Sequence, residues 1–201
     1  QIIASTRDAN STLDAVISFN NRHRIDGVMT IANDVPYTVA LVASNLGLKG
    51  IPVESAKYFM NKIEMKKCFK RENIKTPDFI SISNKKNFLS RIKDFSFPLI
   101  IKPSDGRGSR GVLYLDKHID IDWAYEHSFA SCENNQLILE KFIEGPQLSV
   151  EGLFVEGKYF AVAFADRNYS NLNKTKPYIV EDGGQIPSKF EDELLDQIEK
   201  L

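Results

Sequence analysis

Cysteine is scarce in this 201-residue chain, which holds two, Cys68 and Cys132. They stand far apart and without metal-ligand spacing, which argues against a disulfide scaffold or a thiolate zinc site and suits a reducing compartment. Both read as unreactive thiols, and the expected location is the cytoplasm. The three histidines, His23, His118 and His127, show no ligand spacing either and read as surface or packing residues. No metal site is expected in this stretch of chain. Long apolar runs are missing as well. Phe97-Pro98-Leu99-Ile100-Ile101 is strand-sized, far below the roughly 20 residues that span a bilayer, so no membrane segment is expected. Neither sign of charge dominates. With 26 basic and 27 acidic residues and no long run of either, nucleic acid and lipid surfaces are poor partners. No internal repeat, low-complexity tract or Ser-His-Asp or Cys-His set is visible, so solenoids and covalent catalysis by the protein are set aside.

What remains is a globular pattern, with 42% hydrophobic and 26% charged residues, enough for one large core or two modest ones. Residues 1–55 read as part of a parallel α/β domain. A strand at 2–5 leads to a helix at 10–22 behind the cap candidates Asp8, Asn10 and Ser11. A second strand at 28–32 precedes a helix that Pro36 opens and Gly47 ends. A helical connector spans 56–76, read as one helix over 55–72 and broken at Asn73-Ile74-Lys75-Thr76-Pro77. From 77 to 143 strands are expected at 79–81, 97–102, 112–115 and 137–142, with helices at 85–92 and 121–130, the pattern of a small α+β domain. Residues 144–201 begin a further subdomain with a hairpin, 148–155 and 159–165, around Glu156-Gly157-Lys158. The chain starts at Gln1 in an apolar run and stops inside an amphipathic stretch at 191–201, so it is expected to be cut from a longer one at both ends.

The most informative stretch is Lys102-Pro103-Ser104-Asp105-Gly106-Arg107-Gly108-Ser109-Arg110-Gly111-Val112. Glycines let backbone N–H groups approach an anion, Ser109 can donate a hydrogen bond, and Lys102 supplies a point charge for phosphate oxygens. Gly106, Gly108 and Gly111 alone satisfy G-x-G-x-x-G, which also fits dinucleotide-binding folds and protein kinases. Context separates them. A dinucleotide fold opens a helix at this loop, whereas Val112-Leu113-Tyr114-Leu115 reads as a strand, so the loop closes a hairpin. In a kinase the lysine follows the glycines, and neither H-R-D nor D-F-G occurs here. No Gly-Lys-Ser/Thr ends the loop, which removes the Walker pattern. A plain surface hairpin would leave the basic and hydroxyl cluster unexplained.

The segment resembles the lid loop of ATP-grasp enzymes, and the resemblance continues through Leu137-Ile138-Leu139-Glu140-Lys141-Phe142-Ile143-Glu144-Gly145 and Met60-Asn61-Lys62-Ile63-Glu64-Met65-Lys66. It implies a partial Rossmann-like pre-ATP-grasp domain, then the ATP-grasp lid, then the start of the ATP-grasp core. By the same resemblance Lys102 meets the inner phosphates, and Gly106, Arg107, Gly108, Ser109 and Gly111 fold over the outer ones. Lys62, or Lys66 one turn later, adds a phosphate-contacting base. Glu140, Lys141, Phe142 and Ile143 line the adenine slot, and Gln147 meets the ribose where many relatives carry an acidic residue.

The polar stretch before Pro177-Tyr178-Ile179-Val180-Glu181-Asp182 is similar to carboxylate–amine and amino-acid ligases, where it lies near the acceptor site, which implies Glu181 near a substrate or metal; the donor fork of Arg167 suits a substrate carboxylate. The family resemblance implies ATP and Mg²⁺ as cofactors, with the metal ligands downstream of Leu201. It also implies small-molecule carboxylate and amine partners, attack of the carboxylate on the γ-phosphate, and resolution of the acylphosphate by the amine. Which residues are catalytic is unknown at this stage, and a homodimer stays open. Three readings compete at this level: a carbon–nitrogen ligase, its carbamoyl-phosphate-synthase-like variant using carboxyphosphate, and a non-catalytic nucleotide-binding module.

Overall fold

The computed structural model describes residues 4–31 and 33–198. The N-terminal part holds α1 (Ala9–Asn20), capped by Asp8, whose side chain accepts from Ser11 N at 3.0 Å. It also holds α2 (Pro36–Asn45), opened by its proline and followed by Gly47 at φ +66. The strand expected at 28–32 does not form: 24–30 carry no regular structure, and Met29 and Ile31 are 75% and 78% exposed. The run has strand-like side chains, but a strand also needs a neighbouring backbone for its N–H and C=O groups, and no described element supplies one. The other expected strand, at 2–5, lies mostly outside the described residues, as does Ala32; Ala4 and Ser5 belong to no strand.

The single helix expected over 55–72 is two, α3 (Val53–Met60) and α4 (Lys62–Arg71). Asn61 stands between them in extended conformation, φ −137 and ψ 110, and its side chain accepts from Ile63 N at 2.9 Å and Glu64 N at 3.3 Å. Those bonds satisfy two donors that a helix start leaves without a partner, so an asparagine that helical periodicity passes over instead restarts the helix.

The next unit is a four-stranded antiparallel sheet in the order β1 (Phe79–Ile82), β4 (Leu137–Lys141), β2 (Leu99–Pro103), β3 (Leu113–Leu115). Helices α5 (Lys85–Arg91) and α6 (Ile121–Phe129) cover one face. Side chains alternate across a strand, so Ile82, Leu99, Ile101, Leu113, Leu115, Leu137 and Leu139 pack with Phe88, Ala124 and Tyr125 into the core beneath those helices. The opposite face carries the intervening residues. Register aligns Phe79, Glu140, Ile100 and Tyr114 in one row across the sheet, and Ser81, Ile138 and Lys102 in the next.

Beyond it, β5 (Gln147–Val155), β6 (Lys158–Arg167) and β7 (Gly184–Gln185) form an antiparallel sheet, with α7 (Leu172–Thr175) between the last two and α8 (Glu191–Ile198) after them. The β5–β6 turn is Glu156-Gly157, with φ +51 and +81, the paired positive angles that match strand twist in a two-residue hairpin. The segment after α7 returns to the first sheet: Tyr114 N donates to Pro177 O at 2.8 Å, and Tyr178 bridges to Leu113.

Candidate functional site

The glycine loop joins β2 to β3, as its sequence demands, and its two parts differ. The root is fixed. Ser104 is buried, its N donates to Gln136 O at 2.9 Å, and Asn134 N donates to Asp105 Oδ2 at 2.7 Å. Gly106 and Gly111 are needed for close approach: a Cβ would lie 2.9 Å from Pro103 Cβ at the first and 2.8 Å from Ser131 Cβ at the second. The tip is different. Gly108, Ser109 and Arg110 are exposed, Gly108 and Ser109 have φ +60 and +56, and nothing lies within 4 Å of a Cβ built on Gly108. An anchored root under an open tip of backbone donors is suited to closing over an anion.

Beside the root, two lysines pair with one carboxylate and a third, Lys62, stands close by. Glu140, in the middle of β4, is nearly buried, with Lys102 Nζ 2.8 Å from Oε1 and Lys66 Nζ 3.4 Å from Oε2. Lys102 approaches Oε1 off the direction of a hydrogen bond, so that oxygen has no hydrogen-bond partner among the described residues. Lys66 also donates to Thr76 Oγ1 at 2.8 Å and lies over the Phe79 ring. Lys62 donates its ammonium to Gly106 O, and its backbone N donates to Ser104 O at 2.8 Å, which ties the start of α4 to the loop root.

Burial pushes the Lys62 ammonium below its ordinary pKa, and the neighbouring Lys102 pushes the same way. Lys66 is lowered too, first by burial, with Glu140 opposing. Lys66 and Lys102 against the single carboxylate of Glu140 leave one positive charge unmatched in a partly dry site, an arrangement that a ligand's negative charge would relieve.

The other expected residues are distributed as follows. Lys141 is exposed, Phe142 packs edge-on against Tyr114 at 5.0 Å, and Ile143 is exposed beyond the end of β4. Gln147 pairs in register with Arg167, whose guanidinium holds Glu181 bidentately and keeps that carboxyl below the usual range. Gln147 and Arg167 line a cavity of about 540 Å³ with Asp166, Asp182 and Lys189, and none of the three lysines of the Glu140 cluster lines it.

Sequence reasoning missed the capping role of Asn61, the Thr76 hydroxyl on Lys66, and the Asp105–Asn134 clasp that fixes the loop root. Helix-cap chemistry at Asn61 was legible in principle; the other two join residues that sequence spacing does not relate.

A four-stranded antiparallel sheet, a glycine loop between two of its strands and a lysine–glutamate cluster at the loop root define a small α+β domain built around that loop. The model of the ATP-grasp domain family matches residues 59–200, and the chain belongs to that family. It is 25% identical over 144 residues to the L-arginine-specific L-amino acid ligase of Bacillus subtilis, covering 70% of this chain and 35% of that protein. Similarity to a carbamoyl-phosphate synthase of Methanobrevibacter smithii is 26% over 137 residues, covering 64% of this chain and 35% of that one. Among solved structures, the L-amino acid ligase of Bacillus licheniformis matches with a TM-score of 0.73 at 22% identity, over 96% of this chain and 44% of that one. The chain thus spans well under half the length of these proteins.

Proposed function

We propose that this chain is the ATP-binding part of a ligase that activates a carboxylate as an acylphosphate for attack by an amine. One observation carries the reading: the cluster of Lys62, Lys66 and Lys102 around Glu140 sits at the root of the glycine loop with positive charge to spare. Lys102 and Lys62 neutralise the inner phosphates. The open tip, Gly108 to Arg110, folds its N–H groups over the outer ones. Oε1 of Glu140, ion-paired with Lys102 but without a hydrogen bond among the described residues, accepts from the adenine amino group, Lys66 holds the other oxygen in place, and Ile143 and Phe142 supply apolar surface for the base. Gln147 meets the ribose hydroxyls.

In the reaction a carboxylate oxygen attacks the γ-phosphorus, the bond to the β-bridging oxygen breaks, and ADP leaves. The amine then attacks the acyl carbon, loses a proton and expels phosphate. Such a transfer demands mainly positioning and charge neutralisation, which lysines and backbone amides provide. Among the described residues no three His, Cys, Asp or Glu side chains converge to hold a metal. Arg167 lines the 540 Å³ cavity and Glu181 is paired with it, so a substrate carboxylate or amine there would meet opposite charge.

The test is calorimetric titration of the chain with ATP and GTP in the presence of Mg²⁺. Saturable binding of ATP at least tenfold tighter than GTP supports the reading; equal affinity for the two, or no binding of either, overturns it.

A further inference from the structure

A second cavity, of about 470 Å³, lies on the other side of the glycine loop, between it and the N-terminal part of the chain. None of Lys62, Lys66, Lys102 or Glu140 lines it. Its cations are three arginines from two parts of the chain, Arg7, Arg107 and Arg110, and among the described residues none of them pairs with a carboxylate. Arg107 is half-buried, yet its guanidinium has only the Met60 thioether, 3.2 Å away, as an acceptor, and Arg110 donates only to Arg107 O at 3.3 Å. A guanidinium carries five donors in a fork shaped for oxyanions, and a thioether is a weak acceptor. Of the two acidic residues in the lining, Asp105 is already engaged by Asn134 N and the Cys132 thiol. Both keep their negative charge, so Asp105 and Glu133 together oppose three positive charges and leave the lining one charge positive. Tyr37 and Thr38 complete the polar wall, with Val35 and Met60 on the apolar side.

We infer that this cavity binds a small acid, a carboxylate or a phosphorylated acid, beside the nucleotide rather than in its place. The volume lies within the usual range for small-molecule sites, and three guanidinium forks against two carboxylates leave one positive charge that a ligand's oxyanion group neutralises. Arg107 belongs to the glycine loop, so the occupant would join that loop to Arg7 of the N-terminal part. Co-occupancy with a nucleotide rests on the proposed function; the acid site itself does not.

The experiment titrates the chain with succinate and with inorganic phosphate, followed by changes in backbone amide NMR signals. Wild type is compared with Arg7→Ala, Arg110→Ala and Lys102→Ala, each with and without saturating ATP. Both arginines are exposed, and an unchanged melting temperature certifies each variant. The expected result is saturable binding of at least one probe, weakened about tenfold by either arginine substitution, untouched by Lys102→Ala and retained in the presence of ATP. Tighter binding of succinate assigns a carboxylate; tighter binding of phosphate assigns a phosphoryl group. Unaltered affinity in both arginine variants overturns the inference, as does displacement of the probe by ATP or no saturation by either probe at about 10 mM. Failure of ATP itself to bind, with probe binding intact and arginine-dependent, would sink the nucleotide reading and leave this cavity standing.

Discussion

The two faces of the four-stranded sheet are built from the same strands and do opposite things. Leu99, Ile101, Leu137 and Leu139 point under the helices and are fully buried. Their immediate neighbours Lys102 and Glu140 point the other way and form a charged cluster. Period-two alternation lets one strand serve both faces, so a single position decides between stability and chemistry. The contrast also separates two kinds of burial. Leu139 is buried because water is excluded from a packed core, whereas Glu140 is buried because two lysines and α4 enclose it.

Substitutions can break that comparison, starting with the largest effect. Leu139→Ala should cost about 2–5 kcal/mol in chemical denaturation, from lost transfer energy plus the cavity left behind, with nucleotide affinity unchanged in the folded fraction. Glu140→Gln, one residue on, should cost about 3 kcal/mol because it strands two lysines without their anion, and should also weaken ATP binding. Adding Lys66→Met to that variant should restore part of the stability but none of the affinity, a coupling that a double-mutant cycle reads directly. Asn61→Ala should cost about 1 kcal/mol through the lost cap of α4, and ATP affinity should fall with it, since the cap sets the helix that presents Lys62.

The smallest effect lies outside this sheet, at the Arg167–Glu181 pair. The Glu181 carboxyl is held below its ordinary range, so the pair's stabilisation is complete above that range and is lost as pH falls through the depressed value. Denaturation of wild type and Arg167→Met at neutral and acid pH should show a difference that vanishes in acid.

Much of this contrast was legible in the sequence. The strands at 79–82, 99–103, 113–115 and 137–141 follow from short apolar runs, and the lysine before the glycine loop pointed to the ATP-grasp family, to which the chain belongs. The hairpin at 147–167 was equally plain from its turn. The failures have physical causes. At 28–32 side-chain preference suggested a strand, but pairing is a property of two segments and the partner is not among the described residues. At Asn61 a polar cap interrupted a pattern that apolar periodicity alone would have continued. The enclosure of Glu140 joins residues on α4, β2 and β4, and alternation places it opposite the core without revealing what covers it.

The account stands or falls on whether the two faces are separable. The most direct measurement is ATP titration and denaturation of Lys102→Ala beside Ile101→Ala, adjacent residues on β2. The account predicts that Lys102→Ala loses about tenfold or more in ATP affinity with near-normal stability, while Ile101→Ala loses stability and keeps its affinity. Undiminished ATP binding by folded Lys102→Ala would contradict it.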